Sequence, residues 1–484
     1  MYLKFRMVLI FIFSLCWGCT VGPNFQRQKS PPVDRYTAEV LPSKTVTAEG
    51  CAQRFRLGAE PETEWWRLFG SEDLNGIVSA AIAENQTLQA AQARLRQSRE
   101  SLNAGYGAFY PQVDANLNAS RQKFSSARYG GGFGSSIFNL YTASATVSYD
   151  LDFFGLTRRT VEGLKAQVNY QQYEVDATYL TLLGNIVNTA IALAGYRAQI
   201  AAEEEIVKFE REQLRITKIQ ADAGMIPYTD VLSVQSLLAG SEAVLPPLQK
   251  LLSQTRHLLV TLVGRFPASW SPPDLDLNHF TLPQDVPVTL PSSLVRRRPD
   301  ILAAEALLHV ASANIGVATA AMYPNITLSA GYGVASTSLN SLFDASSTFW
   351  SVGAGLLAPL FHGGTLYYQK QAAIEAYQET LATYRQTVLT AFAQVADALR
   401  AIEYDARTLE AQAYSLKSAE QSLRLVEANY KAGIATYLDL LIADRLYRVA
   451  KIAYIQALVV RLQDTSALFV ALGGGGERLK GEGK

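Results

Sequence analysis

The sequence predicts a mainly α-helical protein that contributes part of a membrane β-barrel, and three patterns predict it. Four short stretches alternate small or aliphatic side chains with polar ones, two very long proline-free stretches repeat apolar residues every seventh position, and the second half of the chain repeats the first. The alternation is strictest in Val113-Asp114-Ala115-Asn116-Leu117-Asn118-Ala119-Ser120 and returns in Tyr141 to Asp150 and in Ile326 to Val334. A fourth copy, Thr348 to Leu356, is weaker because Gly and Phe share its second face. Successive side chains of a strand point to opposite faces, so each stretch has one dry face and one wet face. A soluble sandwich would bury the dry faces against further strands, but here long helical stretches flank each pair. In a bilayer the dry face meets hydrocarbon, and the barrel must close because lipid cannot satisfy an open strand edge. Outer-membrane barrels take about eight or more strands, so a chain supplying four must share its barrel with copies of itself.

Composition narrows the function classes. Lys plus Arg total 43 and Asp plus Glu total 43, leaving no basic excess to draw the chain to nucleic acid. After the N-terminus no run of about 18 apolar residues is evident, so no helical membrane span is expected. The four histidines, His257, His279, His309 and His362, lack metal spacing. Nothing matches a phosphate-cradling loop, a G-x-S-x-G elbow or H-E-x-x-H, so neither an enzyme nor a bound cofactor is expected.

In chain order, Lys4 and Arg6 precede the apolar run Met7 to Leu15 and then Cys16-Trp17-Gly18-Cys19, the layout of a secretory signal peptide over 1–18. Gly18 is the small residue before a lipoprotein cut, and Cys19 would carry a covalent lipid as the new N-terminus. Cys16 and Trp17 depart from the usual Leu-small pattern, and an uncleaved or differently cleaved leader is the alternative. A redox reading of Cys16-x-x-Cys19 lacks the βαβ unit it needs. Cleavage before Cys19 leaves Cys51 as the one free thiol, with no disulfide possible within a chain. The segment 19–64 reads as an irregular lipid-anchored arm.

The first repeat, 65–265, starts at Trp65-Trp66 with a helix whose Leu74, Ile77, Val78, Ala81, Ile82 and Leu88 follow the i, i+3, i+4 spacing. Pro111 ends it. Strands are expected at 113–121 and 141–151, joined by a Gly-, Ser- and Phe-rich outward loop. A helix over 156–222 is roughly 65 residues and about 100 Å long at 1.5 Å per residue. Its Ile186, Leu193, Ile200, Val207 and Leu214 recur every seventh residue, which predicts coiled packing. Gly224 suits a left-handed helix end, and a helix at 228–262 carries the interruption Pro246-Pro247. Six prolines, with Pro299 just after, mark 266–298 as a linker.

The second repeat, 299–472, opens on Arg298-Pro299-Asp300-Ile301, with proline at a helix N-terminus and an acid in the first turn. Strands at 325–335 and 348–358 precede a long helix at 364–432 and a last helix at 436–472. Tyr110-Pro111 recurs as Tyr323-Pro324. The heptad residues correspond at one spacing to Val395, Ile402, Leu409, Leu416 and Leu423, and Gly224-x-x-x-Tyr228-x-Asp230 to Gly433-x-x-x-Tyr437-x-Asp439. The chain is a tandem duplication, ending in a charged, glycine-rich tail at 473–484 that reads as disordered.

Cys19-Thr20-Val21-Gly22-Pro23-Asn24-Phe25 closely resembles the mature start of outer-membrane efflux lipoproteins of the NodT type, relatives of the TolC exit ducts of tripartite pumps. Arg298-Pro299-Asp300-Ile301, with Ala304 and Glu305, matches that family's R-P-D-I-x-x-A-E motif. The resemblance implies that Cys19 carries the lipid, that Thr20 rather than Asp suits transfer to the outer membrane of a Gram-negative cell, and that the arm wraps the trunk. It implies a homotrimer with twelve strands in one barrel and twelve helices in one tunnel. Its partners would be a periplasmic adaptor, or membrane fusion protein, and an inner-membrane RND-type pump, with outer-membrane lipid around the barrel. Drugs or other small solutes would leave through it by diffusion.

The turns at Gly224 and Gly433 are expected farthest from the strands, at the periplasmic mouth. Thr436-Tyr437-Leu438-Asp439 reads first as a capping-box-like helix start in which the acid satisfies backbone donors. In the second reading, copies of Asp439 with Asp230 narrow the mouth while Arg445 ties neighbouring helices. The resemblance places Leu438, Ile442 and Arg445 at the constriction; relatives commonly carry a carboxylate where Ile442 stands, so a more apolar gate is expected. The rivals are a structural coiled-coil lipoprotein without a pore and a general porin with a fixed opening.

Overall fold

The computed structural model describes residues 20–124 and 136–474. The leader, Cys19, the middle of the first hairpin loop and residues 475–484 of the tail lie outside the described residues. In chain order the elements are β1 (Arg54–Leu57), α1 (Glu72–Glu84), α2 (Gln86–Tyr106), β2 (Gln112–Phe124), β3 (Ser136–Leu151), α3 (Leu156–Asp222), α4 (Tyr228–Glu242) and α5 (Leu245–Val263). The second half adds β4 (Asp285–Val288), α6 (Pro291–Arg297), α7 (Pro299–Ala320), β5 (Asn325–Ser336), β6 (Thr348–Leu357), α8 (Thr365–Lys431) and α9 (Tyr437–Ala471). Among the described residues the chain forms two compact units, one drawn from 1–28, 94–171 and 304–384, the other from 29–93, 172–303 and 385–484.

The first unit is built on a four-stranded antiparallel sheet in the order β2-β3-β5-β6. Its register aligns Val113 with Val147, Val147 with Ala330, and Ala330 with Val352. With a side-chain period of two, that alignment puts Ala115, Leu117, Ala145, Tyr149, Leu328, Tyr332, Trp350 and Leu356 on one face. Asp114, Asn116, Ser144, Thr146, Thr327, Ser329 and Ser351 share the other. A one-residue slip at any pairing would mix the faces. The apolar face lies open in the single chain, with Leu117 84% and Val352 76% exposed.

Residues 20–28 lie along α3 and α7. Val21 N–H donates to Phe154 O at 3.1 Å, and the buried Arg159 donates to Val21 O at 3.1 Å and to Asn24 Oδ1 at 2.8 Å. Phe25 stacks on His309 with centroids 4.3 Å apart, and Arg27 pairs with Glu305 at 2.8 Å. Gly22 and Gly316 meet backbone to backbone: a Cβ on Gly22 would stand 2.5 Å from Gly316 Cα.

In the second unit the heptad residues Ile186 and Leu193 of α3 and Val395, Ile402 and Leu409 of α8 are buried, whereas Leu214, Leu416 and Leu423 nearer the turns are half-buried. The segment expected as a linker holds two elements. β4 pairs in parallel with β1 of the arm, and Val286, Val288 and Leu294 join Phe55, Leu399, Ile402 and Leu468 in one apolar cluster. Prolines punctuate this segment without making it irregular throughout.

Two expected helices are broken. Ala243-Val244 separates α4 from α5, because Pro246 and Pro247 have no amide hydrogen to give and fit only a first turn. Asn85, extended at φ −64° and ψ 122°, separates α1 from α2: its Oδ1 accepts from Leu88 N–H at 2.8 Å, and its Nδ2 donates to Leu262 O at 2.8 Å. A correction also falls on the hydropathy reading. Leu156–Asp222, Tyr228–Val263 and Pro299–Ala320 are long and apolar enough to cross a membrane by length and composition. In Leu156–Asp222, 67% of the apolar window is buried within the chain.

The two faces give a direct test. Val147→Arg places a guanidinium on the apolar face, at a cost of roughly 2–4 kcal/mol if it meets the middle of a bilayer. It should abolish the heat-modifiable, folded species on gels, whereas Thr146→Arg, one residue back, should leave it.

Candidate functional site

The two helix turns are built alike. At Gly224, φ +71°, Met225 N–H donates to Gln220 O at 2.9 Å, and at Gly433, φ +76°, Ile434 N–H donates to Asn429 O at 2.8 Å. Both are six-to-one closures whose left-handed residue glycine supplies without strain. They differ in how the next helix starts. Before α9, Thr436 N–H donates to Asp439 Oδ2 at 2.9 Å and Asp439 N–H to Thr436 Oγ1 at 3.2 Å, a complete capping box. The Thr436 hydroxyl and amide together hold the Asp439 carboxyl below the usual carboxylate range. Before α4 the cap position is Pro227, which makes no side-chain cap, and Asp230 sits half-buried in the first turn.

Leu438, Ile442 and Arg445 follow on α9 at helical spacing and all three are exposed, Leu438 at 64% and Ile442 at 51%. Leu446 and Val449 extend the stripe. Arg445 also borders a groove with Leu237, Val449 and Ile452. Of the residues expected at the mouth, the structure thus brings Leu438, Ile442 and Arg445 together on one uncovered face and turns Asp439 to a capping role.

Three residues on from Arg445, Arg448 ties helices together within the chain. Its guanidinium pairs with Glu210 of α3 and with Asp444, and Nη1 donates to Ser241 Oγ of α4 at 2.9 Å. Ser241 Oγ in turn donates to Glu210 Oε1 at 3.1 Å. Glu210 is 1% exposed. Burial pushes the Asp444 carboxyl up, opposed by Arg448, and does the same to Glu203 nearby. Removing two carboxylates and a guanidinium from water is costly, and the network stands because each charge has a partner. The duplication held a signal for it: the residues at the repeat spacing from Glu210, Asp444 and Arg448 are Ala419, Gln235 and Ala239. Charge appears where the other repeat has none.

The R-P-D-I motif has a structural task. Arg298 Nη1 donates to Ala471 O at 3.0 Å and Ala391 O at 3.3 Å, its Nε bonds Asp300 at 2.9 Å, and it also reaches Gln394. One guanidinium so joins the start of α7, with Pro299 in its first turn, to α8 and to the end of α9, where carbonyls lack helical partners. Beyond it Asp405 lies against Asp464 and the fully buried Arg461. Burial, with the neighbouring Asp464 carboxylate, raises the Asp405 carboxyl to about 7. Among the described residues no group of three or more His, Cys, Asp or Glu is placed to hold a metal.

Comparison with known proteins places this geometry. A model of the family described as outer membrane efflux protein matches residues 77–265 and 290–474. The chain is 31% identical to the pyoverdine export outer membrane protein OpmQ of Pseudomonas aeruginosa over 87% of its own length and 89% of that protein. It is 27% identical to nodulation protein T of Rhizobium leguminosarum bv. trifolii, covering 75% and 74%. Among solved structures, the outer-membrane channel OprN superposes with a TM-score of 0.82 at 26% identity, covering 95% of this chain and all of that one.

Two measurements check these electrostatics. Arg448→Met strands buried Glu210 and Asp444, a loss of about 3–5 kcal/mol; thermal unfolding should show it, and adding Glu210→Gln should recover part. At Asp405 the folded state holds its proton up to about pH 7 while the unfolded chain releases it near the ordinary carboxylate value. Stability should therefore fall as pH rises toward 7, and Asp405→Asn should raise Tm more at pH 8 than at pH 5.

Proposed function

This chain belongs to the outer membrane efflux protein family, and on that premise we propose that three copies close one twelve-stranded barrel and form the exit duct of a tripartite efflux system. The observation that carries it is the sheet register, which gathers the apolar side chains of four strands on one face and leaves β2 and β6 as edges. Hydrocarbon outside and water inside fit those faces, and sister copies fit those edges. Cys19 carries the lipid anchor. An energised inner-membrane pump of the RND type feeds the duct through a periplasmic adaptor, and small solutes leave by diffusion with no chemistry performed on them. Nothing found supports the coiled-coil rival without a pore.

The mouth is formed by the Gly224 and Gly433 turns. The exposed stripe of Leu438, Ile442 and Arg445 supports a constriction made between copies, because an uncovered apolar stripe at helical spacing asks for a neighbour. Asp439 keeps its capping box and adds its charge to the ring, with Asp230 beside it in the first repeat.

Single-channel recording in planar bilayers tests both parts. The wild-type protein should conduct in small steps, and Asp439→Ala with Arg445→Ala should enlarge them. Unchanged steps reject the gate; a wild-type protein that neither conducts nor needs detergent rejects the duct.

A further inference from the structure

Where strands give way to helices, the β3–α3, α7–β5 and β6–α8 junctions line a half-open cavity of about 340 Å³, within the ~300–1,000 Å³ range of small-molecule sites. Its walls include Leu151, Phe153, Phe154, Ala321, Tyr323 and Leu366. Phe154 and Tyr323 stack with centroids 4.7 Å apart. The acidic group on the wall is already engaged, since Asp152 accepts the Thr157 and Arg158 amides at 3.0 Å and caps α3. What is left is a largely apolar space at the foot of the sheet, on strands whose apolar face meets lipid.

The described chain starts at the rim of this space. Val21 bonds Phe154 O, and Thr20 packs on Gly155, where a Cβ would stand 2.7 Å from Thr20 Cγ2 and 3.1 Å from its Cα. Gly155 has φ +83°, so this corner needs glycine twice over. Arg159, holding the carbonyls of Val21 and Gly22 and the side chain of Asn24, fixes the segment behind it. Thr20, the residue that follows Cys19 in the chain, is therefore held at the corner that Phe154 and Leu156 share with the cavity.

We propose that one fatty acyl chain carried by Cys19 folds back into this cavity, so that the anchor is partly seated in the protein as well as in the bilayer. The inference rests on the lipoprotein reading of Cys19. Burying methylenes between Phe154, Tyr323 and Leu366 removes apolar surface from the wet interface at the strand ends, and the pinned Thr20 makes the return short. The occupant is the protein's own acyl group and not a free lipid, because the tethered chain is held at the entrance at high effective concentration.

Cells fed a palmitate analogue bearing a photoreactive diazirine provide the test, with the full-length protein irradiated in membranes and then purified. Intact mass should show the acylated chain, and peptide mapping should place crosslinks in 151–156, 320–325 and 357–366. Ala321→Trp, which fills the space, should keep the acylated mass and lose at least nine-tenths of those crosslinks; Cys19→Ala should lose both. Acylated wild-type protein whose crosslinks fall elsewhere overturns the seat and leaves the lipoprotein reading standing. Crosslinks that persist in Cys19→Ala assign the cavity to bilayer lipid and also overturn it. An intact mass without an acyl group defeats both readings.

Discussion

A strand edge inside hydrocarbon has nowhere to send its amides and carbonyls, and the rest of this protein follows from that. The chain holds four strands in the transmembrane sheet, and among the described residues the outer edges of β2 and β6 have no partner strand. Backbone groups left unpaired in lipid cost several kcal/mol each, so the fold is complete only when another copy supplies the missing ladder. Oligomerisation is thus written into the secondary structure. The register then decides which side faces fat: Val113, Val147, Ala330 and Val352 stand in one row across all four strands.

Duplication supplied the rest cheaply, and the differences between the copies are where it became specific. Heptad residues of both halves keep the same spacing, burial falls off toward both turns, and both long helices end in the same glycine closure. The charges of the Arg448 network have no counterpart at the repeat spacing. Glu210 stands where the second half has Ala419, and Arg448 where the first has Ala239. Two helix pairs of common origin are thereby made distinguishable, since an ion pair that is satisfied in one pairing would be stranded in the other.

The architecture was legible in the sequence because its signals are periodic. Seven-residue spacing in Ile186 to Leu214 and two-residue alternation in Val113 to Ser120 need no knowledge of distant residues. The helical pattern runs through Asn85 unbroken, because the carbonyl that its side chain bonds belongs to Leu262, 177 residues away. Segment 266–298 has the pattern of a linker because the partner of β4 lies in the arm. The mouth was partly visible: Leu438, Ile442 and Arg445 share a face as their spacing requires, while Arg448, which bonds across 238 residues to Glu210, carries no local mark. Of the two readings that its sequence allowed, Asp439 shows the cap.

The unequal starts of α4 and α9 have a mechanical corollary. A complete capping box holds a first turn by about 1 kcal/mol more than an uncapped one, so the turn after Gly433 frays less readily than the one after Gly224. Around a ring of three copies, stiff and yielding corners would alternate six times. On the proposed rim an opening force applied evenly would be taken up at every second corner, and the aperture would widen as a triangle before it widened as a circle.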